Sequence, residues 1–282
     1  MMRSVDETTR LVLLGTGTPN AEPSRSGPSL AVVVGDAAFL VDFGPGVARR
    51  AAAAFERGIL ALEPSRLTRA FLTHLHSDHT AGFADLILTP WVLGRAEPFQ
   101  VYGPPGLRSM TNHLLAAYAD DIHERIEGLE PANRTGHAVQ VHEIEPGRIY
   151  EDEHVAMDAF RVNHGSWPAY GYRFTSGNRT IVVSGDTAPF AGWEEAYRAC
   201  DVLVHEVQSS AGLANRDPTW RAYHQAVHTT TAELAEIASR VRPGLLVLTH
   251  VLLHGETEER LLEEIREGYD GDVVLGRDLD IL

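Results

Sequence analysis

The stretch FLTHLHSDHTAG, residues 71–82, decides how this chain is read. Three histidines and an aspartate crowd positions 74–79, directly after an apolar run that begins at Arg69. In an extended segment, side chains two apart share a face, so His74 and His76 point the same way. Asp78 and His79 follow on a turn that swings them towards a second point nearby. Such an arrangement suits two adjacent metal ions. Imidazole and carboxylate donors with few thiols suit zinc, with manganese or iron as substitutes. The bland alternative is a surface histidine cluster, which makes no demand on the rest of the chain.

The rest of the chain repeats the pattern of an apolar strand that ends in a metal-capable residue. AFRVNHG ends at His164, TIVVSGD at Asp186, DVLVHE at His205 and Glu206, and LLVLTH at His250. A site built on one sheet edge requires such a set. Further strands are predicted in RLVLLG from Arg10, SLAVVVG from Ser29, AAFLVDFG from Ala37 and RAFLTH from Arg69. PGVARRAAAAFERGI from Pro45 reads as a helix, and AGFADLILTPWVLG as a second one broken near Pro90. Residues 106–130 have helical spacing and precede the turn-rich PANRTG, so 106–138 is expected to form a helical cap over the site.

From Val139 the strand pattern returns in VQVHEIE, EHVAMDAFRVNHG, AYGYRFTSG and RTIVVSGD, a second β-rich block. Helix WEEAYRAC, strand DVLVHE, a helix over about 230–241, strand GLLVLTH, helix ETEERLLEEIREGY and strand DVVLG complete the chain. Two β-rich halves with interspersed helices predict an α/β chain with helices outside two facing sheets.

With 282 residues, 44% of them hydrophobic and 22% charged, the chain is globular, and no linker splits residues 1–282, so a single domain is expected. The net charge is −15, and every basic residue other than histidine is arginine. That balance disfavours nucleic acid as a partner. Cys200 cannot form an internal disulfide and reads as a core thiol. The start, MMRSVDETTRLVLLGTGTP, carries no cleavage-site pattern, so a cytoplasmic protein is expected. No apolar run approaches the roughly 18 residues of a membrane span. GTGTP resembles the opening of a dinucleotide fingerprint, but Pro19 and Pro23 stand where its helix would begin.

The ordered motifs resemble the metallo-β-lactamase fold superfamily, and within it the branch of ribonuclease Z and the arylsulfatase-type hydrolases. THLHSDH matches the HxHxDH signature, and LLGTGTP at Leu13, LVDFGPG at Leu40, VVSGDT at Val182 and LTH at Leu248 match its other landmarks in order. The likeness spans about residues 11–250. It implies a four-layer αβ/βα sandwich of two facing mixed β-sheets with outer helices, and two divalent metal ions. By the same resemblance His74, His76 and His164 hold the first ion, Asp78, His79 and His250 the second, and Asp186 bridges both. HE at His205 and Glu206 and HTTTAELAEIA at His228 match the motifs that assist the leaving group. His228 is then the proton donor and Glu206 its orienting partner, while Asp78 also orients a hydroxide shared by the two ions. Homodimerisation is implied as well.

Bacterial ribonuclease Z carries a long glycine- and proline-rich arm between the positions matching His164 and Asp186. Here they are only 186 − 164 = 22 apart, and Ser77 stands where many ribonuclease Z sequences have glycine. The expectation is a binuclear hydrolase of a small anionic ester, a phosphodiester or aryl sulfate. A tRNA 3′ endonuclease comes second, a lactonase or thioesterase third. A scaffold on a degenerate fold comes last, because every expected ligand is present. Trp91, Trp167 and Tyr170 flank the predicted site and are candidates to wall an apolar substrate pocket, although core packing is the commoner fate of such residues.

Overall fold

The computed structural model describes residues 8–282, which form two compact units: residues 8–15, 19–144 and 278–282, and residues 16–18 and 145–277. The first unit holds a six-stranded sheet in sequence order: β1 (Thr9–Gly15), β2 (Ser29–Val34), β3 (Ala37–Val41), β4 (Arg69–Phe71), β5 (Phe99–Gly103) and β6 (Val139–Glu143). The first three strands pair antiparallel and the rest parallel, so the sheet is mixed. β2 is buried at every position, as its unbroken SLAVVV run requires. Residues 279–282 run along the outer side of β1, where Leu11 and Leu13 exchange backbone hydrogen bonds with Leu282, Asp280 and Leu279. That segment covers an otherwise open sheet edge.

Helix α1 (Val47–Glu56) buries Val47, Ala48, Ala51 and Ala54, the apolar stripe of a helix lying on the core. The short α2 (Ser77–Thr80) carries Asp78 and His79, and α3 (Phe83–Val92) follows it. Against expectation, α3 runs through Pro90. A proline has no N–H for the carbonyl four residues back, here Leu86. The buried Arg95 replaces it: Nη1 donates to Leu86 O (3.3 Å) and Leu67 O (2.9 Å), and Nη2 to Ile87 O (2.6 Å) and Gly136 O (2.9 Å). Its guanidinium lies 4.8 Å from the centre of the Phe99 ring. Burial lowers its pKa to about 10, which leaves it charged at neutral pH.

The segment predicted as a helical cap holds two helices, α4 (Leu107–Ala117) and α5 (Ala119–Glu127), divided at Tyr118. α4 buries Leu107 and Thr111, whereas α5 has no fully buried residue. β6 was expected to open the second β-rich half, yet it pairs parallel with β5 and completes the first sheet. Parallel pairing needs a crossover of a dozen or more residues, and α4 with α5 supply it.

The second unit holds seven strands. They are β7 (Gly147–Glu151), β8 (Val155–Arg161), β9 (Tyr170–Ser176), β10 (Thr180–Val183), β11 (Val202–Gln208), β12 (Leu245–Leu252) and β13 (Val273–Leu275), in the order β13-β12-β11-β10-β9-β8-β7. β10 to β13 pair parallel and β7 to β10 antiparallel, so this sheet is mixed too. α6 (Trp193–Tyr197), α9 (Thr231–Val241) and α10 (Glu258–Gly268) match predicted helices, and Thr230 with Glu233 forms a capping box on α9. Leu234 and Ala238 of α9 and Leu261 and Ile265 of α10 join Leu246 and Leu248 of β12 in one core cluster. α7 (Ser210–Ala214) and α8 (Pro218–Val227) were not anticipated, although Asp217 before Pro218 is a helix-start signal. Cys200 is buried, and desolvation pushes its thiol up to about 11. Among the described residues no helix is long and apolar enough to cross a membrane.

Candidate functional site

In the first unit, the parallel strands β3 and β4 deliver Asp42 and Thr73 to the same sheet edge. The strand predicted to reach His74 stops at Phe71, so His74 and His76 lie in the segment that leaves it. Asp42 has φ 60°, a conformation uncommon for residues other than glycine. Its carboxylate accepts the Thr73 N–H (2.8 Å), the Thr73 hydroxyl (3.0 Å) and His79 Nδ1–H (2.8 Å). With its proton given to Asp42, the Thr73 oxygen accepts from His74 Nδ1–H at 3.0 Å. Both imidazoles are thereby held with Nε2 as the metal-facing nitrogen, an assignment that follows from the hydrogen-bond network. His74 Nε2 lies 3.0 Å from His76 Nδ1, and His79 Nε2 lies 3.5 Å from Asp78 Oδ2. Such separations suit neighbouring ligand atoms on ions with bonds of about 2.0–2.2 Å.

Two glycines let the backbone close around α2. Phe43 N–H donates to His79 O (3.0 Å) and Gly82 N–H to Phe43 O (2.9 Å). A Cβ on Gly82 would stand 2.3 Å from Gly44 O, and one on Gly44 2.5 Å from Asp78 O.

In the second unit, β8 is antiparallel to β9, β9 to β10, and β10 to β12 are parallel, so β8, β10, β11 and β12 all point one way. His164, Asp186, Glu206 and His250 therefore gather at one edge. The ligand atoms of His164, Asp186 and His228 lie within 4.8 Å of one another, as do those of Glu206, His228 and His250. His250 Nε2 is 3.3 Å from Asp186 Oδ2. In the β11–β12 register Glu206 faces Thr249 and Val207 faces Val251, so His250 is the extra residue of a bulge, at φ 45°. His164 Nδ1–H donates to Val227 O at 2.9 Å, which leaves Nε2 for a metal. Burial lowers the His164 pKa, and the Asp186 charge opposes that shift.

Glu206 Oε1 accepts the N–H groups of Thr229 (2.9 Å) and Thr187 (3.2 Å) and lies 3.3 Å from His228 Nδ1. Glu206 Oε2 is buried with no hydrogen-bond donor, a costly state unless a cation stands close. Imidazoles oriented through their second nitrogen, carboxylates and this orphaned oxygen fit divalent ions. His205, on the other face of β11, turns into the core beside Tyr197, and burial keeps it below its ordinary pKa. Desolvation holds His224 and His254 near a pKa of about 4, so both rings are neutral at pH 7.

Of the pocket candidates, Trp91 is buried with its indole N–H on Asn133 O (2.8 Å), and Tyr170 is buried with Arg161 4.8 Å from its ring centre. Trp167 is exposed, and its backbone N–H donates to His164 O at 3.3 Å. Sequence reasoning quoted Asp42 only as part of a landmark and gave no role to Thr73, which orients His74, or to Thr187, Thr229 and Gln208, which hold Glu206 and the end of α8. A polar residue directly after an apolar strand, as in LVDFG and FLTH, was the available signal.

A family model of the beta-lactamase superfamily domain matches residues 38–251. Ribonuclease Z of Mycobacterium marinum is 34% identical over 278 residues, covering 95% of this chain and 96% of that one. Among solved structures, the metallo-β-lactamase fold protein YhfI from Bacillus subtilis has a TM-score of 0.74 at 18% identity, covering 98% of this chain and 99% of that one. The short form of human tRNase Z has a TM-score of 0.73 at 21% identity, covering 97% and 98%. Both structures share the two mixed sheets with helices.

The ribonuclease Z relative overturns two expectations: a small anionic ester or aryl sulfate as substrate, and nucleic acid as a disfavoured partner. Both rested on a missing arm and on net charge. An alignment of 278 residues over 95% of this chain leaves no room for a long arm in that relative, so the arm does not separate the two. Net charge is a sum over the whole surface and does not describe any one patch: eight of the 39 acidic residues, for instance, sit on α5 (Asp120, Asp121, Glu124, Glu127) and α10 (Glu258, Glu259, Glu263, Glu267).

Proposed function

The chain belongs to the metallo-β-lactamase superfamily and is a metal-dependent hydrolase, and from that premise we propose that it is an endoribonuclease of the ribonuclease Z type, cutting the 3′ end of precursor tRNA. The observation that carries the proposal is the 34% identity to a ribonuclease Z across nearly the whole of both chains. On this reading, taken from the family resemblance, His74, His76 and His164 would hold one ion, Asp78, His79 and His250 a second, and Asp186 would serve both. The ions are two divalent cations, with zinc the best match to an imidazole and carboxylate set and manganese or iron able to use the same donors. When bound, such ions would lower the pKa of a water and offset the negative charge that builds on a pentacoordinate phosphorus.

The protein's own residues then divide the work. Asp42 and Thr73 fix the imidazoles of His74 and His79, as their hydrogen bonds support. Asp78 orients the attacking water. His228 gives a proton to the departing oxygen, and Glu206, 3.3 Å from its Nδ1 and anchored by two backbone N–H groups, stabilises the charged imidazole. A cytoplasmic homodimer belongs to the same proposal and rests on the family alone.

The test is cleavage of a precursor tRNA with a 3′ trailer by zinc- or manganese-loaded protein, with the cut mapped to the nucleotide. His76→Ala is expected to lose about a hundredfold or more in rate. Protein that binds both ions and hydrolyses bis(p-nitrophenyl) phosphate, yet leaves the precursor whole, would sink the tRNA reading.

A further inference from the structure

Helix α8 shows solvent an aromatic face. Trp220 is 55% exposed and Tyr223 45%, a large display for two such side chains. Positions 220, 223 and 224 share one face of α8 through their spacing, and His228 follows as its C-cap residue. The rings of Trp220, His224 and His228 form a row, 6.0 Å and 5.7 Å apart between centroids, and Tyr223 stands edge-on beside it, at 88° to Trp220 and 68° to His224. Along the row successive rings tilt by 33° and 29°. One end of the row is open to solvent, and the other is His228 beside Glu206.

The row is fixed in place. Gln208 of β11 donates to His224 O and His228 O, both at 3.1 Å, which ties the last turn of α8 to the strand that carries Glu206. At 1.5 Å per residue the row is on the order of 12 Å long, and bases stacked about 3.4 Å apart would place roughly three nucleotides along it.

The surroundings favour a polyanion with flat faces. The guanidinium of exposed Arg216 lies 5.9 Å from the Trp220 ring centre, and neither Arg216 nor Arg221 has a carboxylate partner among the described residues. The lone acid between residues 216 and 228, Asp217, is engaged in capping α8 through Thr219 N–H (2.9 Å). Two arginines without carboxylate partners beside exposed rings join local positive charge to stacking surface, the pairing that single-stranded RNA uses.

We propose that this face of α8, with Trp220 and His224 under the bases, Tyr223 against their edges and Arg216 on the phosphates, is a stacking platform for the unpaired nucleotides that lead to the cut phosphodiester. The inference rests on the ribonuclease reading of the same site. It names RNA held by ring faces, so sequence preference along the platform is weak.

The test uses metal-loaded full chain, a short single-stranded RNA carrying 2-aminopurine, and precursor tRNA. Fluorescence of the labelled RNA is expected to be quenched on binding to wild type. In Trp220→Ala/Tyr223→Ala the dissociation constant and the precursor KM are expected to rise about tenfold or more, with kcat moving far less. Trp220→Phe/Tyr223→Phe keeps flat rings and is expected to recover most of the affinity, which a purely structural role would not predict. Unchanged affinity and KM in the double alanine variant overturn the proposal. So does a loss of self-association by light scattering with RNA affinity intact, which would assign the face to a second copy of the chain. Wild type that quenches the labelled RNA but cuts no precursor would reject the tRNA substrate and keep the platform. Wild type that binds no RNA would reject both.

Discussion

Asp42 holds two imidazoles in register, one directly and one through the Thr73 hydroxyl. Replacing it with Asn keeps the shape but lets an amide N–H face one of those donors. Asp42→Asn is expected to weaken metal affinity about 10- to 100-fold, as read by competition with a chromophoric chelator, while the folded far-ultraviolet signal persists. His228→Ala is expected to cost about 10²–10⁴ in kcat on precursor tRNA but much less on a substrate with a good leaving group, such as bis(p-nitrophenyl) phosphate. Equal losses on both substrates would place His228 on a metal instead. Cys200 tests the core assignment. Its thiol ionises near 11 when folded, above the ordinary value of 9.0, so it stays neutral at pH 8 and should resist iodoacetamide until denaturant is added. Because the unfolded thiol ionises first, stability from this group falls as pH rises between those two values. At this scale the sequence exposed the ligand candidates, whose residue types and strand-end positions are local facts. Their orienting partners were hidden because Asp42 and His79 meet across 37 positions of chain.

Helix α3 shows how an element survives a residue that ought to end it. The periodicity of AGFADLILTPWVLG was legible, and so was the proline, but the repair comes from Arg95, which folds back under Leu86 and Ile87. Arg95→Met keeps the length and removes the donors. It is expected to destabilise the first unit by about 2–4 kcal/mol, measured as a shift in urea midpoint at constant slope. Gly82→Ala drives a methyl into Gly44 O and should disturb α2, lowering both metal affinity and stability. Strand β7 escaped notice because GRIYE offers only two apolar residues between charges, and it pairs on one side alone. The allotment of β6 to the first sheet was equally invisible, since pairing partners are not written in local pattern.

For the whole molecule, ion binding to the folded chain alone adds about 2.7 kcal/mol at a hundredfold excess over Kd. Chelation is therefore expected to lower the melting temperature, and zinc to restore it; a melting curve indifferent to chelator would argue against a resident metal. The order of five motifs made the fold legible, while substrate class was not, because one chain's net charge and one short hairpin are weak discriminators. The strip formed by residues 279–282 along β1 also bears on synthesis. Those residues leave the ribosome only after all of residues 145–277, so the first sheet, although begun earliest, keeps an open edge throughout the making of the second unit. During that interval β1 is a sticky flank, and slowing translation between residues 145 and 277 should lengthen the time for which a nascent chain can be captured by chaperones or by its neighbours on the same messenger.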